Sequence, residues 1–223
     1  MRRESSTVVA LVGEVSSGLL AGLGRSPNVS VARPPEAESP RPAAAAGAST
    51  QAAPAVSAGA SRPGWETGAE AMREAARRRS MYVLVPDDPL SGVAAGWRAM
   101  WDLSAGPAGP AAFEQSAADA LAAWRGRQFE LPDYYLVVAP VQPESAGQDF
   151  YLGPLRAARP RRVAVAGLTA APGLASAPGQ AGTVLDALRT LEHGPWWPPL
   201  DDLLSAARNF YAGGLAEAQQ TLA

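Results

Sequence analysis

The sequence contains no cysteine and no lysine, and its only histidine is His193. Without cysteine the chain cannot form disulfides, thiol nucleophiles or thiolate zinc sites. Without lysine it has neither a Schiff-base lysine nor the lysine of a phosphate-binding P-loop. One imidazole cannot build a metal site that needs two. Any catalysis must therefore rest on hydroxyl, carboxylate and guanidinium groups and this single histidine.

The net charge of −2 at pH 7 gives the chain no overall attraction to nucleic acid or to anionic membranes. Arg2 and Arg3 precede an apolar run at 8–23, an arrangement that superficially resembles a signal peptide. Glu14 interrupts that run, and a charge there opposes membrane insertion. No stretch reaches the eighteen uncharged apolar residues of a spanning helix. We therefore expect no membrane association and a cytoplasmic location.

The segment 34–64 consists mainly of alanine, proline, serine and glycine. It has too few large apolar side chains to offset the entropy lost on ordering, so it is predicted to be a disordered linker or insertion. The remaining chain is interpreted as one domain. In this division, residues 1–33 form its first βαβ unit and residues 65–223 form the remainder.

Five short apolar runs predict buried strands. They lie at 7–12, 28–32, 81–85, 134–139 and 162–166. Helix-like stretches separate them, and this alternation is typical of a parallel sheet covered on both faces. The predicted fold is a three-layer α/β domain of flavodoxin or Rossmann type, with a mostly parallel sheet of about five strands. In such folds ligands bind at the carboxyl ends of the strands.

The segment 183–193 shows helical periodicity between a candidate N-cap, Thr183, and a Gly194-Pro195 stop. His193 is thereby predicted to be a cation at the helix C-terminus, where it opposes the helix dipole. The alternative is that His193 acts as a general base. A last amphipathic helix is predicted to begin after Pro198 and Pro199.

Polar residues follow the predicted strands at their carboxyl ends. They are Gly13, Glu14, Ser16 and Ser17 after the first strand, Asp87 and Asp88 after the third, Gln142 and Glu144 after the fourth, and Gly167 and Thr169 after the fifth. Two acidic loops that meet at a sheet edge could hold Mg²⁺. The simpler interpretation is that these carboxylates begin turns and helices, where acidic residues are favourable.

Two segments, VALVGEVSSG and YVLVPDDPLSGVAAGWRAMW, resemble the metal-binding segments of Toprim domains, which occur in primases and topoisomerases. The resemblance covers about thirty residues. It departs from the Toprim pattern because Asp87 and Asp88 are adjacent rather than separated by one residue. It implies that Glu14, Asp87 and Asp88 bind Mg²⁺ for phosphoryl transfer.

The segment His193-Gly-Pro-Trp-Trp-Pro-Pro-Leu200 has two adjacent tryptophans between prolines. Tryptophan has a large apolar surface and is enriched at interface hot spots. We expect at least one of the pair to be buried. Trp196 and Trp197 are the candidate partner-binding residues.

Arginines cluster at 73–79 and at 156–162. The simpler interpretation is that they are solvated helix ends, and the alternative is a phosphate or nucleic-acid groove.

Two functions are compatible with these features. The first is a non-catalytic protein-interaction or scaffold module, without a cofactor, whose partner is another protein. The alternative is a Mg²⁺-dependent, Toprim-like phosphoryl-transfer or nuclease-like enzyme that uses Glu14, Asp87 and Asp88.

Overall fold

Five parallel strands form the centre of the structure, a computed structural model that describes residues 6–13, 15–32, 64–102, 104, 106–139, 148–167 and 177–210. The strands are β1 (Thr7–Gly13), β2 (Val29–Val31), β3 (Tyr82–Val85), β4 (Tyr134–Ala139) and β5 (Val163–Gly167). Their order is β2-β3-β1-β4-β5, and every neighbouring pair is parallel. The predicted α/β fold with a parallel sheet of about five strands is confirmed.

Burial explains why β1 lies at the centre of the sheet. Its residues from Val8 to Val12 are all buried, which is the pattern of a strand covered on both faces. β2 is only three residues long and pairs with β3 alone. Short edge strands are common because they expose few unpaired backbone groups.

The strand order differs in detail from that of both fold types predicted from the sequence, the flavodoxin and Rossmann types. The flavodoxin order is 2-1-3-4-5 and the Rossmann order begins 3-2-1-4-5. Here β3 lies between β2 and β1, so the second and third strands have exchanged the places they hold in the Rossmann order. Local sequence patterns cannot settle this order, because it depends on which edge each crossover returns to.

The helices cover both faces of the sheet. They are α1 (Ser17–Leu23), α2 (Gly64–Ala75), α3 (Ser91–Trp101), α4 (Ala108–Arg125), α5 (Arg156–Ala158), α6 (Ala177–Arg189) and α7 (Leu200–Arg208). A π-helical turn, Tyr151–Leu155, precedes α5, and a 3₁₀ turn, Pro160–Arg162, follows it. None of the described helices is both long enough and apolar enough to cross a membrane.

Alternate residues of β1 identify the two outer layers. Val9 and Leu11 pack with residues of α1 and α6 on one face. Ala10 and Val12 pack with α3, α4 and α7 on the other, where Val8 also contacts the buried residues of α2. The sheet is therefore the middle of three layers, as predicted.

Helix α6 is displaced from its predicted position, and this corrects the interpretation of His193. The helix ends at Arg189, four residues before His193. Thr183 is an interior residue rather than the N-cap, and its hydroxyl donates to the carbonyl of Gly179 one turn earlier. His193 is therefore exposed on an irregular segment and does not oppose a helix dipole.

Smaller boundary differences have local causes. α1 begins at Ser17 because the Ser16 hydroxyl accepts the amide N–H of Leu19, an ordinary N-cap. α2 ends at Ala75, so Arg77 and Arg78 lie just beyond its carboxyl end. α7 begins directly after Pro199, as expected. The predicted insertion at 34–64 lies outside the described residues except for Gly64, which begins α2.

Candidate functional site

Asp88 lies just beyond the carboxyl end of β3 and is buried, with 4% of its surface exposed. Its Oδ1 accepts the hydroxyl of Tyr135 at 2.9 Å, and its Oδ2 accepts the hydroxyl of Tyr151 at 2.6 Å. The backbone N–H of Leu90 also donates to this carboxylate. The Asp88 side chain thus joins the end of β3, the start of β4 and the π-helical turn.

Burial dominates the electrostatics of this cluster. It raises the pKa of Asp88 to about 6, against the opposing effect of the three donated hydrogen bonds. The pKa values of Tyr135 and Tyr151 are raised well above their ordinary range, by burial first and by the nearby Asp88 charge second. The tyrosines therefore remain protonated donors, and Asp88 is the group of the cluster that titrates near neutral pH.

Asp87 differs from its neighbour because it is only partly buried. Desolvation raises the pKa of its carboxyl group. Glu14, the third residue of the predicted magnesium site, lies outside the described residues, so the three-carboxylate site stays a prediction. Among the residues that are described, no group of three histidine or carboxylate side chains is placed to hold a metal ion.

Gly13 and Gln148 meet where β1 and β4 end side by side. Gly13 has φ +106°, a conformation that favours glycine, and a Cβ there would meet both the Gln148 amide and the Val138 carbonyl. The Gln148 Nε2 donates to that carbonyl at 2.9 Å, and Gln148 is buried. The Gln148 side chain therefore packs into the described part of the crevice in which an α/β fold usually binds its ligand. Gln142, Glu144 and Thr169 lie outside the described residues.

A pocket of about 700 Å³ opens at the opposite, amino end of the sheet. Thr7 and Val8 at the start of β1, and Tyr134 at the start of β4, form part of its floor. The sequence directed attention to the carboxyl edge, so this pocket is a finding of the structure. Its ionisable lining residues are Glu130, Asp133, Arg162 and His193, and its tryptophans are Trp124, Trp196 and Trp197.

Arg162 organises the wall of this pocket, although the sequence indicated a solvated arginine. Only 9% of its surface is exposed. Its Nε, Nη1 and Nη2 donate to the carbonyls of Pro195, Asp133 and Gly194 at 3.0, 3.0 and 2.8 Å. The guanidinium carbon lies 5.0 Å from the ring centre of Tyr134 and 4.8 Å from that of Trp196. The buried guanidinium replaces its lost hydration with three carbonyls and two aromatic rings.

The two adjacent tryptophans have opposite environments. Trp197 is buried, and its indole N–H donates to the Pro132 carbonyl at 2.7 Å. Its ring contacts that of Tyr135 edge-on, with 5.6 Å between the ring centres. Trp196 is 52% exposed, and its carbonyl accepts the Nε of Arg159 at 2.6 Å. The expectation that at least one of the pair is buried is met. Contact of either residue with a partner stays a prediction.

Sequence reasoning missed Tyr135, Tyr151, Gln148 and Arg162. The available signal was weak and concerned Arg162 alone. Arg162 is the first residue of a predicted buried strand, where an arginine is uncommon, and it could have been interpreted as a buried anchor. His193 was singled out, and the structure places it on the pocket wall.

No known protein family matches the sequence, and neither the curated proteins nor the solved structures include one with significant similarity to it.

Proposed function

We propose that the protein is a non-catalytic interaction module that binds another protein at the amino edge of its sheet, with Trp196 as the central contact. The observation that supports the proposal is the combination of exposure and fixation at Trp196. The ring is 52% exposed, yet two arginines hold the backbone around it. We further propose a cytoplasmic location, from the Glu14 charge within the N-terminal apolar run.

Fixation matters because binding has an entropic cost. An aromatic side chain on a mobile loop loses conformational freedom when it is captured, and that loss reduces affinity. The segment of Trp196 is already held by Arg159 and Arg162 and by the burial of Trp197. Tryptophan is one of the residue types enriched among the few contacts that dominate binding energy at interfaces.

The environment of Asp88 at the carboxyl edge supports a structural role for this residue rather than a catalytic one. Asp88 is enclosed in the core, and both of its oxygens accept tyrosine hydroxyls. A general base or metal ligand needs an oxygen that substrate or ion can reach. Asp88 instead fixes the aromatic cluster against which Trp197 packs.

The test is affinity capture from extract of the native host with three forms of the full chain. These are the wild type, Trp196→Ser and the control Trp101→Ser. Trp101 is also exposed, at 37%, and does not line the pocket. We expect a partner that wild type and Trp101→Ser retain and Trp196→Ser loses, while all three melt at similar temperatures. Equal capture by both variants would refute the assignment of the binding face.

A further inference from the structure

The amino-edge pocket already contains one bound guanidinium, supplied by the protein itself. The Arg162 guanidinium lies over the rings of both Tyr134 and Trp196. Beside this contact, Trp196 remains 52% exposed. An aromatic ring attracts cations at both of its faces, since its negative quadrupole is symmetric about the ring plane.

The charges of the pocket favour a second cation over an anion. Its lining has two carboxylates, Glu130 and Asp133, against one guanidinium, that of Arg162, and the imidazole of His193. Three of the five N–H groups of the Arg162 guanidinium already donate to carbonyl oxygens, which leaves at most two for an incoming anion. Asp133 is fixed in place because its Oδ2 accepts the backbone N–H of Val8 at 2.8 Å.

We propose that this pocket binds an arginine side chain presented by a segment of the partner protein. The inference rests on the proposed function and names the chemistry of its partner. The incoming guanidinium stacks on the exposed part of the Trp196 ring, and Glu130 supplies the opposite charge at the pocket wall. The volume of about 700 Å³ accommodates an arginine side chain together with the backbone that carries it.

Guanidinium is favoured over ammonium for two physical reasons. It is planar and weakly hydrated, so stacking on an indole costs it less hydration than it costs a lysine ammonium. It also presents several N–H donors in one plane, which lets it contact a ring and a carboxylate at once. The stacking of Arg162 on Trp196 shows the same pairing within the fold.

The experiment is an NMR titration of the full-length protein, observing the indole N–H signals of its six tryptophans. The probe is a blocked Gly-Arg-Gly tripeptide. The matched probes replace arginine with citrulline, which is neutral and nearly isosteric, or with lysine. We expect the arginine probe to shift the Trp196 signal, the lysine probe to bind about three- to fivefold more weakly, and citrulline to give no saturable shift.

Two pairs of variants locate the contacts. Trp124 and Trp197 also line the pocket, so their indole signals report binding when Trp196 is replaced. In Trp196→Leu neither signal should show a saturable shift, whereas Trp101→Leu should leave the affinity unchanged. Glu130→Gln should weaken the arginine probe by about threefold, as expected for a partly exposed ion pair. Glu192→Gln is the control, since Glu192 is an exposed carboxylate that does not line the pocket. Melting curves of each variant exclude a general loss of folding.

Three outcomes would overturn the inference. Equal binding of citrulline or lysine would remove the specificity for guanidinium. The absence of any Trp196 shift would remove the site. Trp196-dependent capture of a partner that lacks an arginine contact would leave the proposed function standing while the guanidinium assignment fails.

Discussion

Replacing Arg162 with methionine should destabilise the fold, because this side chain joins three separate parts of the chain. It donates to the carbonyls of Asp133 before β4 and of Gly194 and Pro195 after α6. A hydrogen bond from a charged donor contributes about 1.5–3 kcal/mol, and the freed carbonyls near the surface regain some water. We therefore expect a loss of about 3 kcal/mol in the free energy of unfolding.

The neighbouring arginine provides a matched control. The Arg161 side chain is 63% exposed and pairs with Glu192 at 3.2 Å across the surface. Arg161→Met should therefore cost less than about 1 kcal/mol. Urea unfolding of both variants, monitored by circular dichroism and analysed at equal m-values, gives the comparison. If the two variants lost the same stability, Arg162 would not join the three parts of the chain in the way that we describe.

Three further predictions address the core and the predicted metal site. Because the pKa of Asp88 is raised to about 6 in the fold, its contribution to stability is fully present below pH 4 and is lost as the pH rises through about 6. Over that range the free energy of unfolding of wild type should fall by about 3 kcal/mol relative to that of Asp88→Asn. Identical pH profiles of unfolding for the two proteins would contradict this. Gly96→Ala should destabilise the fold by about 1–3 kcal/mol because a Cβ there would meet Phe113 and Ser116 of α4. Gly182→Ala should stabilise the fold by up to about 1 kcal/mol because the space around this helical glycine is open. Chemical denaturation of the two variants measures the sign of each change. Millimolar Mg²⁺ should leave the melting temperature unchanged, because both oxygens of Asp88 accept tyrosine hydroxyls. A Mg²⁺-dependent rise in melting temperature that Asp88→Asn abolishes would instead support the Toprim-like metal site.

The strands could be predicted because each is encoded locally. A run such as β1, with consecutive buried valine, alanine and leucine residues, has few alternatives to a central parallel strand. The order of the strands could not be predicted in the same way, since it depends on contacts between residues far apart in the sequence. The predicted boundaries of α6 were wrong because Thr183 resembles an N-cap in the sequence but is an interior residue of the helix in the structure.

Adjacent identical residues mark the limit of sequence reasoning at the candidate sites. Arg161 is mostly exposed, while Arg162 is buried and joins the pocket wall. Trp196 is half exposed, while Trp197 packs on Tyr135. In irregular segments no periodicity tells which member of such a pair faces inward. The deciding factor is the position of distant carbonyls and rings, which only the folded chain brings together.

The wall that supports Trp196 is assembled from segments that are remote from one another along the chain. The residues around it come from the start of β1, the entries to β4 and β5 and the segment after α6. Its orientation is therefore a property of the whole domain and not a short linear motif. Partial unfolding of any of these segments would remove the surface, so the proposed partner would bind only the intact fold. A synthetic peptide of residues 193–199 would contain both tryptophans and would lack the surface that they help to form.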